Sequence, residues 1–180
     1  MTISSPQDCG ADAGEYCAIW LGPEMPGDQR RDDALSATWD TEILSNDIQI
    51  TGLPKITLKL SSDQPTAQIA VRLNHIHPDG ASTRITYGVL NLCHLDGHEV
   101  STPIPLNEAV MATLKLDQCA YTVPAGHRLR ISISNSYWPL LWPSSNATTL
   151  TISGGTVQLP LLNEAVGQPV VFAPPEAADP

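Results

Sequence analysis

The stretch from Ile69 to Leu92 constrains this chain more than any other. Ile69, Val71 and Leu73 alternate with Ala70, Arg72 and Asn74. That two-residue period is a β-strand with branched apolar residues on one face and polar ones on the other. Pro78-Asp79-Gly80 then stops the run: proline fixes φ and offers no donor, aspartate accepts from nearby backbone, and glycine tolerates positive φ. Beyond the turn, Ile85, Tyr87 and Val89 share one phase, Leu90 and Leu92 take the other, and Gly88 sits at the slip. The pattern predicts a hairpin whose second arm carries a β-bulge at Gly88.

The same period recurs along the chain. Ile48 and Ile50 alternate with polar neighbours, as do Ile56, Leu58 and Leu60, then Leu114 and Leu116. His127 to Asn135 is the cleanest case, with Leu129, Ile131 and Ile133 opposed to Arg128, Arg130, Ser132 and Ser134. Leu150 with Ile152, and Val157 with Leu159 and Leu161, predict two short final strands parted by Gly154-Gly155. Gly52-Leu53-Pro54, Asp96-Gly97 and Pro124-Ala125-Gly126 read as turns, and 16 prolines and 12 glycines leave no room for a long helical pattern. The sum is an all-β chain of about eight or nine short strands, a β-sandwich. Several connections are long, which favours a jelly roll or Greek key over a meander. A chain of 180 residues with one Phe builds its core from Leu, Ile and Val, and at this size it needs no disulfide or metal to do so.

The ends read differently. Residues 1–29 lack periodicity and are expected to form an extended arm, tacked down by the apolar cluster Tyr16 to Leu21. The sandwich is expected over 30–165 and a flexible tail over 166–180, where Pro, Ala and acidic residues dominate near the end. The run Asp28-Gln29-Arg30-Arg31-Asp32-Asp33 admits two readings: a solvated loop, or arginine–carboxylate pairs pinning the arm to the sheet.

A net charge of −10 repels phosphate backbones and anionic lipid, so neither nucleic acid nor a membrane is an expected partner. No run of 18 apolar residues exists, and the N-terminus lacks a basic region followed by an apolar one, so a cytoplasmic location is expected. Cys9, Cys17, Cys93 and Cys119 contain no Cys-x-x-Cys pair and read as reduced thiols behaving as small hydrophobes.

Three kinds of chemistry bear on such a chain. Gly-x-Ser-x-Gly is absent, so a serine nucleophile on a strand-to-helix elbow is not expected and no catalytic residue is assigned. His75 and His77 share a strand face and His94 and His98 bracket a turn, but a zinc site would need a third or fourth ligand from elsewhere, and solvated histidines are the commoner case; neither a metal nor another cofactor is expected. Tyr137, Trp138, Leu140, Leu141 and Trp142, bracketed by Pro139 and Pro143, form an aromatic loop. It reads first as an interface that packs under a neighbour, and second as a sugar-stacking platform built on Trp138 and Trp142.

Several segments, taken together and in order, resemble a known family. Val71-Arg72-Leu73 through Pro78-Asp79-Gly80, with Ile85-Thr86-Tyr87-Gly88-Val89-Leu90, is similar to one of its signature segments. Gly126-His127-Arg128-Leu129 through Ser134-Asn135-Ser136-Tyr137-Trp138-Pro139 is similar to another, and Arg31-Asp32-Asp33 with Ile50-Thr51-Gly52 resembles its entry. The family is the C-terminal non-catalytic domain of X-prolyl dipeptidyl aminopeptidases and the related cocaine-esterase/NonD acyl hydrolases. The likeness departs at His75, where that family usually has Asp. It implies a jelly-roll domain of galactose-binding-like architecture that packs on an α/β-hydrolase core and a helical cap and helps wall their substrate cleft. The catalytic triad lies in the core, so this chain would be a separately encoded or excised part of such an enzyme, free to self-associate as a homo-oligomer through its uncovered face. Gly126 would supply the turn before a central strand, Pro78-Asp79-Gly80 the hairpin register, and His127 and Arg128 hydrogen bonds to loops at the sheet end.

Overall fold

A computed structural model of the chain describes residues 1–14 and 25–162. In chain order its elements are β1 (Thr2–Ile3), α1 (Arg30–Ala34), β2 (Ala37–Asp40), β3 (Ile48–Gly52), β4 (Lys55–Ser62), β5 (Gln68–Ile76), β6 (Ser82–Asn91), a single 3-10 turn (Leu92–His94), β7 (Val110–Lys115), β8 (Cys119–Val123), β9 (Arg128–Ser134) and β10 (Leu150–Gln158). Every pairing between these strands is antiparallel, and the pairs nest: β5 with β6, β4 with β7, β3 with β8, β2 with β9, β1 with β10. The chain is thus one long folded ribbon whose tip is the β5–β6 hairpin. The ribbon then wraps on itself, adding the pairs β10–β4 and β5–β9. Two four-stranded sheets result, ordered β1-β10-β4-β7 and β2-β9-β5-β6, with β3–β8 as a separate ribbon. Doubling and rolling a ribbon in this way makes a jelly-roll sandwich.

The predicted apolar phases meet between the sheets. Ile56, Leu58 and Leu60 of β4 face Ile69, Val71 and Leu73 of β5, closed in by Leu114, Leu129, Ile133, Leu150 and Ile152, all buried. Each such side chain contributes about 1.5–3 kcal/mol on leaving water. Pro78-Asp79-Gly80 turns at the ribbon's tip: Gly80 has φ +88°, His77 N–H donates to the Ala81 carbonyl, and Ala81 N–H to Asp79 Oδ1.

Three sequence expectations change. The hairpin's bulge is at Ile85, because Leu73 pairs with Thr86 and Asn74 with Arg84, leaving one residue over. Gly88 is regular strand, glycine for another reason: a Cβ there would lie 2.9 Å from the Lys115 carbonyl oxygen, where the end of β7 crosses. The two final strands are one, β10, whose register slips between Ile152 and Gly154 so that Gly154-Gly155 continue the ladder. Leu159 and Leu161 fall beyond it. Finally, the described part of the N-terminal arm is folded onto the body. β1 extends a sheet, Ser5 N–H donates to Asn135 Oδ1, and Cys9 and Ala13 are buried. The Tyr16–Leu21 cluster, Cys17 and the tail 166–180 lie outside the described residues. Among the described residues, no helix is long and apolar enough to cross a membrane.

Candidate functional site

The polar face of β5 is buried as completely as its apolar face, and this decides where the exposed surface lies. Ala70, Arg72 and Asn74 are covered by α1 and the N-terminal segment. The covering piece is Asp32-Asp33, the acidic end of the charge run. Asp32 accepts from the backbone N–H of Gly10 at 2.9 Å and of Asp12 at 3.1 Å, which moors the arm. Asp33 accepts from Ser82 Oγ at 2.8 Å, Asn74 Nδ2 at 2.9 Å, Arg130 at 3.2 Å and Ser132 Oγ. It therefore ties β5, β6 and β9 through one carboxylate. Arg72 lies 3.9 Å from both carboxylates, donates to Ser36 Oγ and the Asp32 carbonyl, and stacks 5.0 Å from the Tyr137 ring. The pinning reading of the run is the one realised, but its cations are Arg72 and Arg130 from the sheet. Arg30 and Arg31 of the run itself make exposed pairs with Asp28 and Asp8. At the rim Arg130 grips Asp40 with two hydrogen bonds of 2.7 and 2.9 Å, which holds the Asp40 carboxyl below its ordinary range.

On this plug stands the aromatic loop that follows β9. Tyr137, expected at an interface, is instead fully buried: Arg84 donates to its hydroxyl at 2.6 Å, and Ala13 and Ala70 pack against its ring. Leu140 and Leu141 are half-buried against the same cluster. Leu141 N–H closes the loop onto the Tyr137 carbonyl, Gln68 holds the Trp142 carbonyl, and Trp138 N–H donates to the Cys9 carbonyl. The Trp138–Pro139 peptide bond is cis. What reaches solvent is Trp138, 42% exposed, and Trp142, 78% exposed, with their rings edge to face at 73° and centroids 5.4 Å apart. Gly10 is part of this support: at φ +113°, a Cβ would come within 2.3 Å of the Trp138 carbonyl oxygen.

At the opposite end of β5, three imidazoles converge. His75 and His77 lie one above the other, centroids 4.0 Å apart, and His127 from the Gly126 turn joins them, its Nδ1 2.6 Å from His75 Nε2. His75 Nδ1 is 2.9 Å from the Tyr121 hydroxyl, whose pKa burial raises. Burial, then the neighbouring His77 and His127, pull His75 down to about 4. Gly126 has φ +85° and donates its N–H to the Leu44 carbonyl, and Arg128 donates to the Thr41 carbonyl, so this end is also held to the loops beside it. The sequence showed His75 and His77 on one face; the third ring, some fifty residues on, carried no local signal.

Among the described residues the free thiols add no activated nucleophile. Cys9, Cys93 and Cys119 are unpaired, and burial raises the pKa of Cys9 and Cys119.

Two antiparallel sheets rolled from one ribbon, with a braced and exposed aromatic loop at one end, define a jelly-roll β module. The chain belongs to the family of X-Pro dipeptidyl-peptidase C-terminal non-catalytic domains, which it matches over residues 2–170. It is 25% identical over 166 residues to the cocaine esterase of Rhodococcus sp. (strain MB1 Bresler), covering 90% of this chain and 28% of that one. The fold is shared with an α-amino acid ester hydrolase (TM-score 0.70, 19% identity, 75% of this chain and 27% of that one). It is shared too with an aminopeptidase from a marine sediment Thaumarchaeota archaeon (TM-score 0.68, 18% identity, 82% and 30%). The chain thus spans under a third of the length of these relatives.

Proposed function

We propose that this domain serves a serine hydrolase: it packs against an α/β-hydrolase core and helical cap, stabilises them, and walls part of their substrate cleft with the Trp138–Trp142 loop. The carrying observation is that two indoles are held out into water by a loop braced from beneath by buried Tyr137, Cys9 and Ala13. A loop meant only for solvent has no use for such bracing. Covering one indole by a partner is worth about 2–4 kcal/mol from its apolar area alone, and tryptophan is the residue most favoured at interface centres. Without the core, the same patch pairs with a second copy of the chain. A cytoplasmic setting belongs to this reading; the three free thiols among the described residues suit a reducing compartment.

The test compares ester hydrolysis and thermal inactivation of the hydrolase core with and without the 180-residue chain. The chain alone should neither turn over ester nor react with a serine-directed phosphonate. Added to the core, it should lengthen the core's half-life, and Trp138→Ser with Trp142→Ser should weaken that gain. Phosphonate-sensitive turnover by the chain alone overturns the proposal.

The second reading, a carbohydrate-binding module using Trp138 and Trp142, has the exposure it needs but not the geometry. Rings at 73° present one edge and one face, whereas a sugar stacks on a flat shelf. Titration of glycans against tryptophan fluorescence decides it: a saturable shift with any of them would restore this reading.

A further inference from the structure

We infer that His75, His77 and His127 form a binding site for a divalent transition metal of the zinc class. One ring nitrogen from each of the three lies within 4.8 Å of the other two. Tetrahedral zinc, at about 2.0–2.1 Å from each imidazole nitrogen, needs its ligands about 3.4 Å apart. The pair His75 Nε2 and His127 Nδ1, now 2.6 Å apart, opens slightly to admit an ion, and the wider pairs close.

Three further features suit a site rather than a chance cluster. The ligands come from two places fixed independently: β5 carries His75, with His77 in the turn just past its end, and the Gly126 turn, tied to Leu44, carries His127. His75 is oriented from behind, because the Tyr121 hydroxyl engages Nδ1 and leaves Nε2 as the inward atom. Metal-bound imidazoles are commonly steadied in this way through their second nitrogen. Thr83 Oγ1, 3.0 Å from His77 Nε2, can do the same for His77 if its Nδ1 is the ligand. Lastly, His77 and His127 are only half-buried, so an ion reaches the site from solvent and water completes the coordination. An all-imidazole set selects zinc, copper, nickel or cobalt over magnesium or calcium, which prefer oxygen. The ion would clip the tip of the β5–β6 hairpin to the turn entering β9, two points some fifty residues apart. This role is independent of whether the Trp138–Trp142 loop docks on a hydrolase.

The test uses the 180-residue chain purified without a polyhistidine tag, stripped with a chelator, and titrated with zinc by calorimetry. One equivalent should bind at micromolar affinity or better. His77→Gln and His127→Gln, both at half-buried positions that fold readily, should each weaken binding by about 30-fold or more. Cobalt should give the visible absorption of tetrahedral coordination, lost in the same variants. A control is needed because His94 and His98 also stand together, centroids 5.6 Å apart; His94→Gln with His98→Gln should leave the affinity unchanged. The inference is overturned by no binding at about 100 μM zinc, by binding that survives His77→Gln with His127→Gln, or by binding that vanishes with the His94/His98 pair.

Discussion

Replacing Asp33 by alanine tests the load the buried plug carries. The substitution removes one acceptor from Ser82, Asn74, Ser132 and Arg130 at once, and takes one of two carboxylates from Arg72, which has no exposed surface. Stranding a buried charge by deleting its partner costs about 3–5 kcal/mol. Adding about 1–3 kcal/mol for every orphaned donor would overcount, since water enters the space the side chain leaves. A loss of about 4 kcal/mol is therefore expected, a large share of the roughly 5–15 kcal/mol that holds a domain together. With a urea slope of about 2 kcal/mol/M, the unfolding midpoint should fall by about 2 M. Asp33→Asn keeps the shape and some acceptors but not the charge, and should lose about half as much. Asp28→Ala, which breaks a solvent-exposed pair with Arg30 and the hydrogen bond from Ser82 N–H, should lose only about 1–2 kcal/mol. Equilibrium urea unfolding followed by tryptophan fluorescence and by circular dichroism measures all three, with coincidence of the probes as the two-state check. An Asp33→Ala loss no larger than that of Asp28→Ala would refute the argument that this carboxylate knits β5, β6 and β9 together.

Further outcomes follow from other contacts. Gly10→Ala drives a Cβ into the Trp138 carbonyl at an unfavourable φ, so a loss of about 2–3 kcal/mol with altered tryptophan near-ultraviolet dichroism is expected; an unchanged spectrum would separate the arm from the aromatic loop. Gly88→Val should cost at least about 2 kcal/mol by urea unfolding, because the Lys115 carbonyl cannot retreat, while Gly80→Val, with open space around it, should pay only for its φ. Asp40 has its pKa lowered from 3.8 by Arg130, so the unfolded chain takes up that proton first as pH falls. The stability gap between the native chain and Asp40→Asn should thus be full above about pH 4 and shrink below it; the same gap at pH 7 and pH 3 contradicts the fork. Tyr137→Phe leaves the Arg84 donor short of its acceptor and should lose about 1–2 kcal/mol on thermal unfolding; an unchanged transition would contradict the role of this hydroxyl.

The alternation around Ile69–Leu73 and Leu129–Ile133, with turns at Pro78-Asp79-Gly80 and Gly126, was enough to establish a two-layered β protein. A two-residue period commits a segment to showing one face to a core, and proline, aspartate and glycine fix where the chain reverses; both are local properties of the sequence. The family likeness rested on the same segments. Other features were not legible there, because they depend on what each strand meets. Gly88 looked like a bulge, but its need for a bare Cα came from β7 crossing above it. Thr2–Ile3 and Ala37–Asp40 are strands only because β10 and β9 offer them edges.

The candidate surface divides in the same way. Tyr137, Trp138 and Trp142 are alike in sequence, yet one is buried and two are exposed, since Ala13, Ala70 and Arg84 converge on the first alone. By itself the sequence determined which side chains would leave water and where the ribbon would turn, since those depend on residues a few positions apart. Only the tertiary structure decided that the polar side of β5 would be covered by Asp32 and Asp33, and that His127 would reach His75 and His77. Those choices pair groups some forty to a hundred residues apart, and such distances are set by how the ribbon rolls, which no short stretch of sequence encodes.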